Sequence, residues 1–514
     1  MVSRTKSAFW GIVTSQAFSL ISMAVSIIST PLMVKFLSKE AYGLSILFFQ
    51  IINYLALFDF GLSAAVIRNL ALHRGDDEYN RSMVNRIMST GVLVAAGFGG
   101  FVTLLGLGLA PFLPKIYDLK PELAGPAVPI LVTLSLLAGV QFVQRGLGGI
   151  FFAHHRQTLI STPIFLTNLL TTGITLLLLW QGVGLWSFAY ANMFQLASIV
   201  LVQVVLLRRY YPALEIGLRH FDKQLTRSML QYGIFLFLQG LATQIILQTD
   251  RLVIGKILSL AAVAVFSITV RIPEVGMHLL NRITDNALPA VAEIVVHEGA
   301  ERARLYLRRI LSLVSVLGMA AAWVMVALDE WFIDLWVGPS FFAGHSILVL
   351  ALVIMVQQTL VQTGTFFLNM KGDTRRASLG ALVEAVLNIT LSITLGYQLG
   401  MRGILLGTII ASCLTSTWYI PYLLRTTFEV PIMTTIIRPV VIPLLVVGAI
   451  GLGVLQVVSW MQAVLPNTWL SFFCAAAIAG LLMGPAVWLL FLRSLLGEYV
   501  PARWRPYLLV PVLK

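Results

Sequence analysis

Apolar residues in this chain run in blocks of 18 to 28 parted by short polar breaks, and nowhere do they alternate with polar residues at the period of a strand. About 20 apolar residues in helical form cross the hydrocarbon core of a bilayer. The pattern predicts fourteen such helices, at 8–34, 42–67, 87–113, 127–152, 159–180, 185–207, 231–258, 261–288, 310–328, 346–370, 378–395, 403–424, 439–461 and 469–492. Without period-two segments a transmembrane barrel is excluded. The expected fold class is an all-α integral membrane protein with about fourteen transmembrane helices.

A second regularity spans the breaks. "FWGI" opening helix 1 resembles "QYGI" opening helix 7, 222 residues on, and "VKFLSKEAYGLS" resembles "GKILSLAAVAVFS". "VQRGLGGIFFAHHRQT" in helix 4 resembles "VQTGTFFLNMKGDTRR" in helix 10 at an offset of 218, and "GVGLWSFA" and "GMRGILLG" keep that register. A near-constant offset spanning six helices indicates internal duplication, with both copies oriented alike about an axis along the membrane normal. The expected organisation is an N-lobe at 1–207 (helices 1–6), a basic cytoplasmic linker at 208–229, a C-lobe at 230–425 (helices 7–12), and helices 13 and 14 with a cytoplasmic tail at 426–514.

Composition adds the compartment and the topology. The chain is 58% hydrophobic and 11% charged, with a mean hydropathy of +0.89, whereas soluble domains carry about a quarter charged residues. The basic start "MVSRTK" precedes an apolar run longer than the ~7–15 residues of a signal-peptide core, and no small-x-small site closes it, so it is read as the first span. Cys413 and Cys474 lie in apolar stretches and say nothing of an oxidising compartment. Of 35 Lys and Arg, 25 fall on the side shared by both termini and six on the other, which places both termini in the cytoplasm. Trp180, Trp186, Trp331, Trp336 and Trp469 then mark the outer interface. The +13 net charge follows from this topology and calls for no nucleic-acid partner.

Short loops remove most enzyme classes. None exceeds about twenty-five residues, whereas membrane glycosyltransferases and polysaccharide polymerases usually place catalysis in a large outer loop. "IGKIL" is no phosphate-binding loop, because Asp250 stands where the leading Gly belongs and Ile257 replaces Ser or Thr. "HEGAE", from His297, lacks the second His of a zinc protease. The expectation is a transporter with no cofactor and no metal, driven by a gradient, since ATP-driven export needs a partner subunit.

Nine ionisable Asp, Glu and Arg residues lie within the predicted spans: Asp59, Arg145, Asp250, Arg251, Arg271, Glu274, Arg282, Asp285 and Glu384. Each costs roughly 2.5–3.5 kcal/mol near the bilayer centre on insertion scales, so they must face a cavity or one another. In helix 8, Arg271, Glu274, His278, Arg282 and Asp285 fall within one arc of about 80° at 100° per residue. Along that stripe Arg271 can pair with Glu274, and Arg282 with Asp285; Pro273 offers a bend. In helix 7, Arg251 shares a face with Gln244 and Gln248, while Asp250 points about 100° away toward a neighbouring helix. Gln141, Gln144 and Arg145 mark helix 4, Gln358, Gln362 and Thr365 helix 10, and Glu384, Asn388 and Ser392 helix 11.

Amides and hydroxyls satisfy sugar hydroxyls as both donor and acceptor, and Arg pairs with phosphate oxygens. A large hydrophilic ligand with an anionic group suits this set. Arg145, Gln244, Gln248, Arg251, Arg271, Arg282, Gln358 and Gln362 are the candidate substrate-binding residues; Asp59, Glu274, Asp285 and Glu384 are the candidates for ion coupling or gating. The alternative stays open that the balanced pairs of helix 8, and Asp250, only brace helices, and that Arg145 snorkels to the interface.

The stretch "PLMVKFLSKEAYGLSILFFQIINYLALFDFGLSAAVIRNLA" resembles the opening of polysaccharide flippases, the Wzx-type lipid-linked oligosaccharide translocases of the multidrug/oligosaccharidyl-lipid/polysaccharide exporter superfamily. Pro31, Leu37, Gly43, Asp59, Gly61 and Arg68 carry the likeness. "QTDRLVIGKILSLAAVAVFSI" and "NALPAVAE" are similar to the second lobe. The resemblance implies two lobes alternating between inward- and outward-open states. Its implied substrate is an undecaprenyl-diphosphate-linked glycan in the bacterial inner membrane, and its implied partners are membrane lipid and polysaccharide polymerase or assembly proteins. Lumen arginines would hold the diphosphate or acidic sugars. Helix 1 carries no ionisable residue between Ala8 and Val34, unlike lipid II flippases and many cation-coupled drug antiporters of the superfamily. Those two remain the alternatives.

Overall fold

The computed structural model describes residues 2–73, 78–154, 156–297 and 300–493. Glu298 and Gly299 of the HEGAE stretch and residues 494–514 of the expected tail lie outside them. Among the described residues the chain is helical without a β-strand. Twelve helices are long and apolar enough to cross a membrane, thirteen when one bent pair is counted as a single span. Both counts are of the described residues and are consistent with the about fourteen helices that hydropathy predicts.

The chain divides into two compact units, Met1–Gln244 with Leu258–Ala264, and Ile245–Ile257 with Val265–Lys514. The first holds α1 (Val2–Phe36), α2 (Lys39–Ala56), α3 (Leu62–Leu72), α4 (Glu78–Leu109), the single turn α5 (Leu113–Ile116), α6 (Pro121–Ala153), α7 (Thr158–Trp180) and α8 (Trp186–Tyr210). The boundary runs through α9 (Lys223–Ile257) and α10 (Leu260–Thr269). The second unit continues with α11 (Arg271–His297), α12 (Ala300–Trp336), α13 (His345–Met370), α14 (Thr374–Leu399), α15 (Met401–Leu414), α16 (Ser416–Phe428), α17 (Arg438–Val464) and α18 (Trp469–Val487).

Two spans expected to be continuous are broken. The second turns at Phe60 (φ 48°) and Gly61 (φ 71°), both left-handed. Gly takes that conformation without the Cβ penalty that Phe60 must bear. Asp59 then caps α3: its Oδ2 accepts from the Ser63 N–H and its Oδ1 from the Ser63 hydroxyl, both at 3.2 Å. The eighth bends by 48° between α10 and α11. Pro273 lacks the N–H that would reach the Thr269 carbonyl, and its ring crowds that carbonyl. The bend falls at Val270, leaving Pro273 in the first turn of α11, where a missing N–H is tolerated.

Helices in lipid gain little from hydrophobic burial against each other, so close backbone approach and buried polar contacts carry the packing. In the first unit α4 and α6 meet at Gly99 and Gly139; a Cβ on Gly99 would stand 2.2 Å from the Gly139 carbonyl oxygen. In the second unit α14 and α15 are closer still, a Cβ on Gly403 meeting the Leu395 carbonyl oxygen at 1.9 Å and one on Gly407 the Ser392 backbone nitrogen at 2.5 Å. α17 lies on α12, with the Trp323 ring filling the space left by Gly451. Large apolar side chains such as Leu104, Leu170, Val386, Leu445 and Leu481 remain exposed, as lipid-facing positions require. Along α7 the hydroxyls of Thr167, Thr171 and Thr175 each donate to the carbonyl four residues back, at 2.7–2.8 Å. At the end of α12, Phe332 stacks on Trp336 and meets Trp469 edge-on, and Phe472 joins Trp331 to Phe332 and Trp469, so three of the expected interface tryptophans share one aromatic cluster.

The segment between α8 and α9 is stitched to α4. Asn85 Oδ1 accepts from the Glu215 N–H at 3.1 Å, Ser89 Oγ from Gly217 at 3.1 Å, and Thr90 Oγ1 from Asp222 at 3.0 Å. Asp222 caps α9 by accepting from the N–H groups of Gln224 and Leu225 and pairs with Arg86. The Leu225 N–H first, then that of Gln224 and the Arg86 guanidinium, hold its carboxyl below the usual range. The contribution is therefore complete at neutral pH and is lost only as pH falls through the lowered value.

Replacing Gly407 with Val forces α14 and α15 apart. Overpacking of this kind costs about 1–3 kcal/mol, which a lowered melting temperature in detergent reads directly. Amide exchange checks the cap: Asp222→Ala, which removes the acceptor, should expose the Gln224 and Leu225 amides at neutral pH, while the wild-type chain protects them.

Candidate functional site

Arg251 is the centre of a side-chain cluster in the second unit. Its Nη1 donates to Gln248 Oε1 at 2.7 Å, its Nε donates to Ser267 Oγ at 3.2 Å, and its Nη2 is ion-paired with Glu274 Oε1. Gln248 reaches it because it lies one helical turn earlier on α9. The bend at Val270 presents Ser267 from α10 and Glu274 from α11 to the same guanidinium. With a side chain only 9% exposed, Arg251 would be an unpaired buried cation without these three partners. A cavity of about 50 Å³ lies beside it, lined by Asp250, Pro273, Glu274 and Met355.

The ion pair differs from the one that helical spacing suggests. Glu274 pairs across helices with Arg251, although Arg271 lies three residues away on its own helix. Arg271 and Arg282 are half-buried on α11, while His278 and Asp285 are exposed. Asp250 is buried and faces Thr408 of α15, and its Oδ1 has no hydrogen-bond partner. The expected separation of Asp250 from Arg251 is what the structure shows.

Glu384, on α14, anchors a second cluster. Its carboxylate accepts from Gln358 Nε2 at 3.0 Å and from the Ser416 hydroxyl. Gln358 also reaches Ser412 at 3.4 Å. One turn along α14, Asn388 donates to Thr408 Oγ1 at 2.8 Å, and Ser392 donates to the Ile404 carbonyl at 3.0 Å. These contacts cross the close α14–α15 packing, which Gly396, Gly403 and Gly407 permit. Asn388 Oδ1 is buried without a partner. Gln362, expected on the same face as Gln358, is exposed instead. Among the described residues no three His, Cys, Asp or Glu side chains gather as a metal site; the oxygens of Asp250, Thr408 and Asn388 form a set suited to a small hard cation or a proton.

The first unit contains a cavity of about 410 Å³ with polar side chains in its wall. Gln141, Gln144 and Arg145 of α6 face it, as helix 4 periodicity implies, and Asn168 of α7 with Gln195 and Gln203 of α8 complete the wall. Gln195 donates to Asn168. Gln203 is 1% exposed, and its Oε1 is buried without a partner. Gly148 makes room for it: a Cβ there would stand 3.1 Å from Gln203 Nε2. Arg145 is exposed. Of the remaining candidates, Gln244 is half-buried and its carbonyl accepts from Tyr54 Oη at 3.3 Å, and Asp59 serves α3 as described above.

Periodicity within single helices missed several residues. Asn168, Gln195 and Gln203 went unnoticed because their spans are otherwise apolar, though amides inside such spans were a signal. Asp329 was missed because the predicted span stops at 328. It is 2% exposed on α12, and neither carboxylate oxygen makes a hydrogen bond.

This architecture is shared with transporters of the MOP superfamily. The lipid II flippase MurJ in an inward closed conformation superposes with a TM-score of 0.69 at 16% identity, over 95% of this chain and 100% of that one. An inward-facing multidrug resistance MATE family transporter gives 0.65 at 17%, over 79% and 96%. A MOP superfamily transporter from Pyrococcus furiosus gives 0.56 at 16%, over 82% and 96%. At these identities the likeness shows the fold alone. Residues 32–344 match the model of a polysaccharide biosynthesis protein family, and the chain belongs to that family. The uncharacterized membrane protein EpsK of Bacillus subtilis (strain 168) is 23% identical over 330 residues, 63% of this chain. The match spans 64% of that relative's own length.

The Arg251–Glu274 pair makes a definite stability prediction. Breaking it with Arg251→Ala leaves a carboxylate without its partner and should cost about 3 kcal/mol, the lower end for a buried pair. Replacing both residues with Met should restore most of the loss. Unfolding in detergent of the wild type, Arg251→Met, Glu274→Met and the double Met variant measures the coupling, and additive effects would show that the pair contributes nothing.

Proposed function

We propose that this protein is a flippase for a polyprenyl-diphosphate-linked oligosaccharide, a surface-polysaccharide repeat unit, in the bacterial inner membrane. Both termini face the cytoplasm, and two lobes exchange access to the two sides. The observation that carries this reading is membership of a polysaccharide biosynthesis family in a chain with the MOP fold. The amide-lined cavity of the first unit supports it. Gln141, Gln144, Asn168, Gln195 and Gln203 offer both donors and acceptors, which suits sugar hydroxyls, and Arg145 supplies a cation for an acidic sugar or phosphate.

Energy for export comes from an ion gradient or the membrane potential in this reading. Glu384 and Asp250, both buried, are the acids placed to take up a proton or a small cation. Glu274 would then serve as counter-charge to Arg251, holding the arginine until a ligand phosphate competes for it. Asp59, Asp285, Arg271 and Arg282 stay assigned to the transport path on the helical-face argument.

Deleting the gene in its own host and quantifying lipid-linked glycan on each face of the inner membrane tests the function. Completed units should accumulate on the cytoplasmic face while surface polysaccharide disappears. An unchanged distribution, with no second flippase in that host, would discard the reading. The cavity is tested separately: Gln144→Ala with Arg145→Ala should lower export about ten-fold, the equivalent of 1.4 kcal/mol, at equal protein level.

A further inference from the structure

A cluster of cationic and aromatic side chains in the first unit lies outside everything assigned above. It surrounds a pocket of about 380 Å³ built from the end of α3, the start of α4, the end of α6 and the segment after α8. His73, Arg81, His154, Arg156, Tyr210 and Tyr211 face it. The Arg156 guanidinium lies 5.3 Å from the centroid of the Tyr210 ring and 5.8 Å from that of Tyr211. Arg209 lies 6.0 Å from the Tyr210 centroid. Contacts of this kind hold a guanidinium by its face and leave its N–H edge available for hydrogen bonding.

Charge balance singles this pocket out. The Arg86, Arg219 and Arg304 guanidinium groups have carboxylate partners. Among the described residues no ion pair involves Arg81, Arg156 or Arg209. Both histidines are locked in one tautomer, because Nδ1 of His73 donates to the Asn69 carbonyl and Nδ1 of His154 to the Ile150 carbonyl, each at 3.0 Å. Tyr211 Oη is buried and lies against the Arg156 guanidinium. Burial, opposed by the neighbouring Arg156 charge, raises its pKa, so the hydroxyl remains a donor. The floor is firm, since Asn85 is bonded to the segment that carries Glu215. A pocket whose guanidinium groups have no ion pair among the described residues, with tyrosine hydroxyls beside them, fits a doubly charged oxyanion.

We propose that this pocket binds the phosphate headgroup of a lipid at the cytoplasmic membrane interface. The helix ends that form it are those with which the basic-residue count meets the cytoplasm. The height therefore rests on the topology of the proposed function, whereas the anion chemistry does not. Gln203 and Tyr210 are seven residues apart on α8, about 10 Å along its axis. A headgroup held here lies within one sugar or two of the amide cavity. The lipid is either the diphosphate-linked substrate awaiting entry or a bulk anionic phospholipid; both present the same oxyanion.

Native mass spectrometry of the full chain in neutral phosphatidylcholine nanodiscs tests this, with polyprenyl diphosphate or phosphatidylglycerol added separately. Arg81→Gln with Arg156→Gln should weaken binding of one anionic lipid at least ten-fold. Arg156→Lys should retain part of it, and Arg425→Gln, a charge removed elsewhere, should retain all of it. Selective loss of the diphosphate assigns the pocket to substrate, and loss of phosphatidylglycerol alone assigns it to bulk lipid. Unchanged binding of both lipids by a double variant with a wild-type melting temperature overturns the proposal. The readout needs no transport, so failure of the flippase reading and failure of the pocket are distinguishable.

Discussion

A guanidinium cannot sit in hydrocarbon alone, and much of the second unit is arranged around that fact. Arg251 is held by an amide from its own helix, a hydroxyl from α10 and a carboxylate from α11. Supplying all three from one direction requires the chain to turn between α10 and α11. The bend at Val270 and the placement of Pro273 in the following turn achieve this. The ion pair and the bend are therefore one feature. A straight eighth helix would carry Ser267 and Glu274 past the arginine at a different angle.

The same reasoning separates polar groups that are satisfied from those that are not. Glu384 is matched by Gln358 and Ser416, and Ser392 by a carbonyl across the α14–α15 contact. Asp250, Asn388 and Gln203 each keep one buried oxygen unmatched. In a low-dielectric interior such groups are costly, and the two cavities that transport would use are lined by some of them. Asp329 shares the property, and nothing in the structure assigns it a role.

Much of this was legible in the residues. Long apolar blocks announce spanning helices because a bilayer tolerates no other open-chain structure. The face shared by Gln248 and Arg251 follows from 3.6 residues per turn. What could not be read was contact between helices. Spacing pairs Glu274 with Arg271, but the bend delivers it to Arg251. Gln141, Gln144 and Arg145 were visible as a polar face, yet the wall opposite came from Asn168, Gln195 and Gln203 in spans that read as apolar. The break at Phe60 was hidden for another reason. A left-handed phenylalanine is uncommon, and only the following Gly61 hinted that an apolar block would stop being one helix.

The threonine ladder of α7 changes what its composition means. Hydroxyls that return to their own backbone have no proton left to donate to a lipid, a neighbouring helix or a ligand. From outside, α7 is an aliphatic rod with a single amide, Asn168, left to speak. A hydropathy scale counts those threonines as polar and understates the helix's affinity for the bilayer. Their exchange for valine would be almost silent to the surroundings, whereas one change at Asn168 would alter the only word the helix addresses to the cavity.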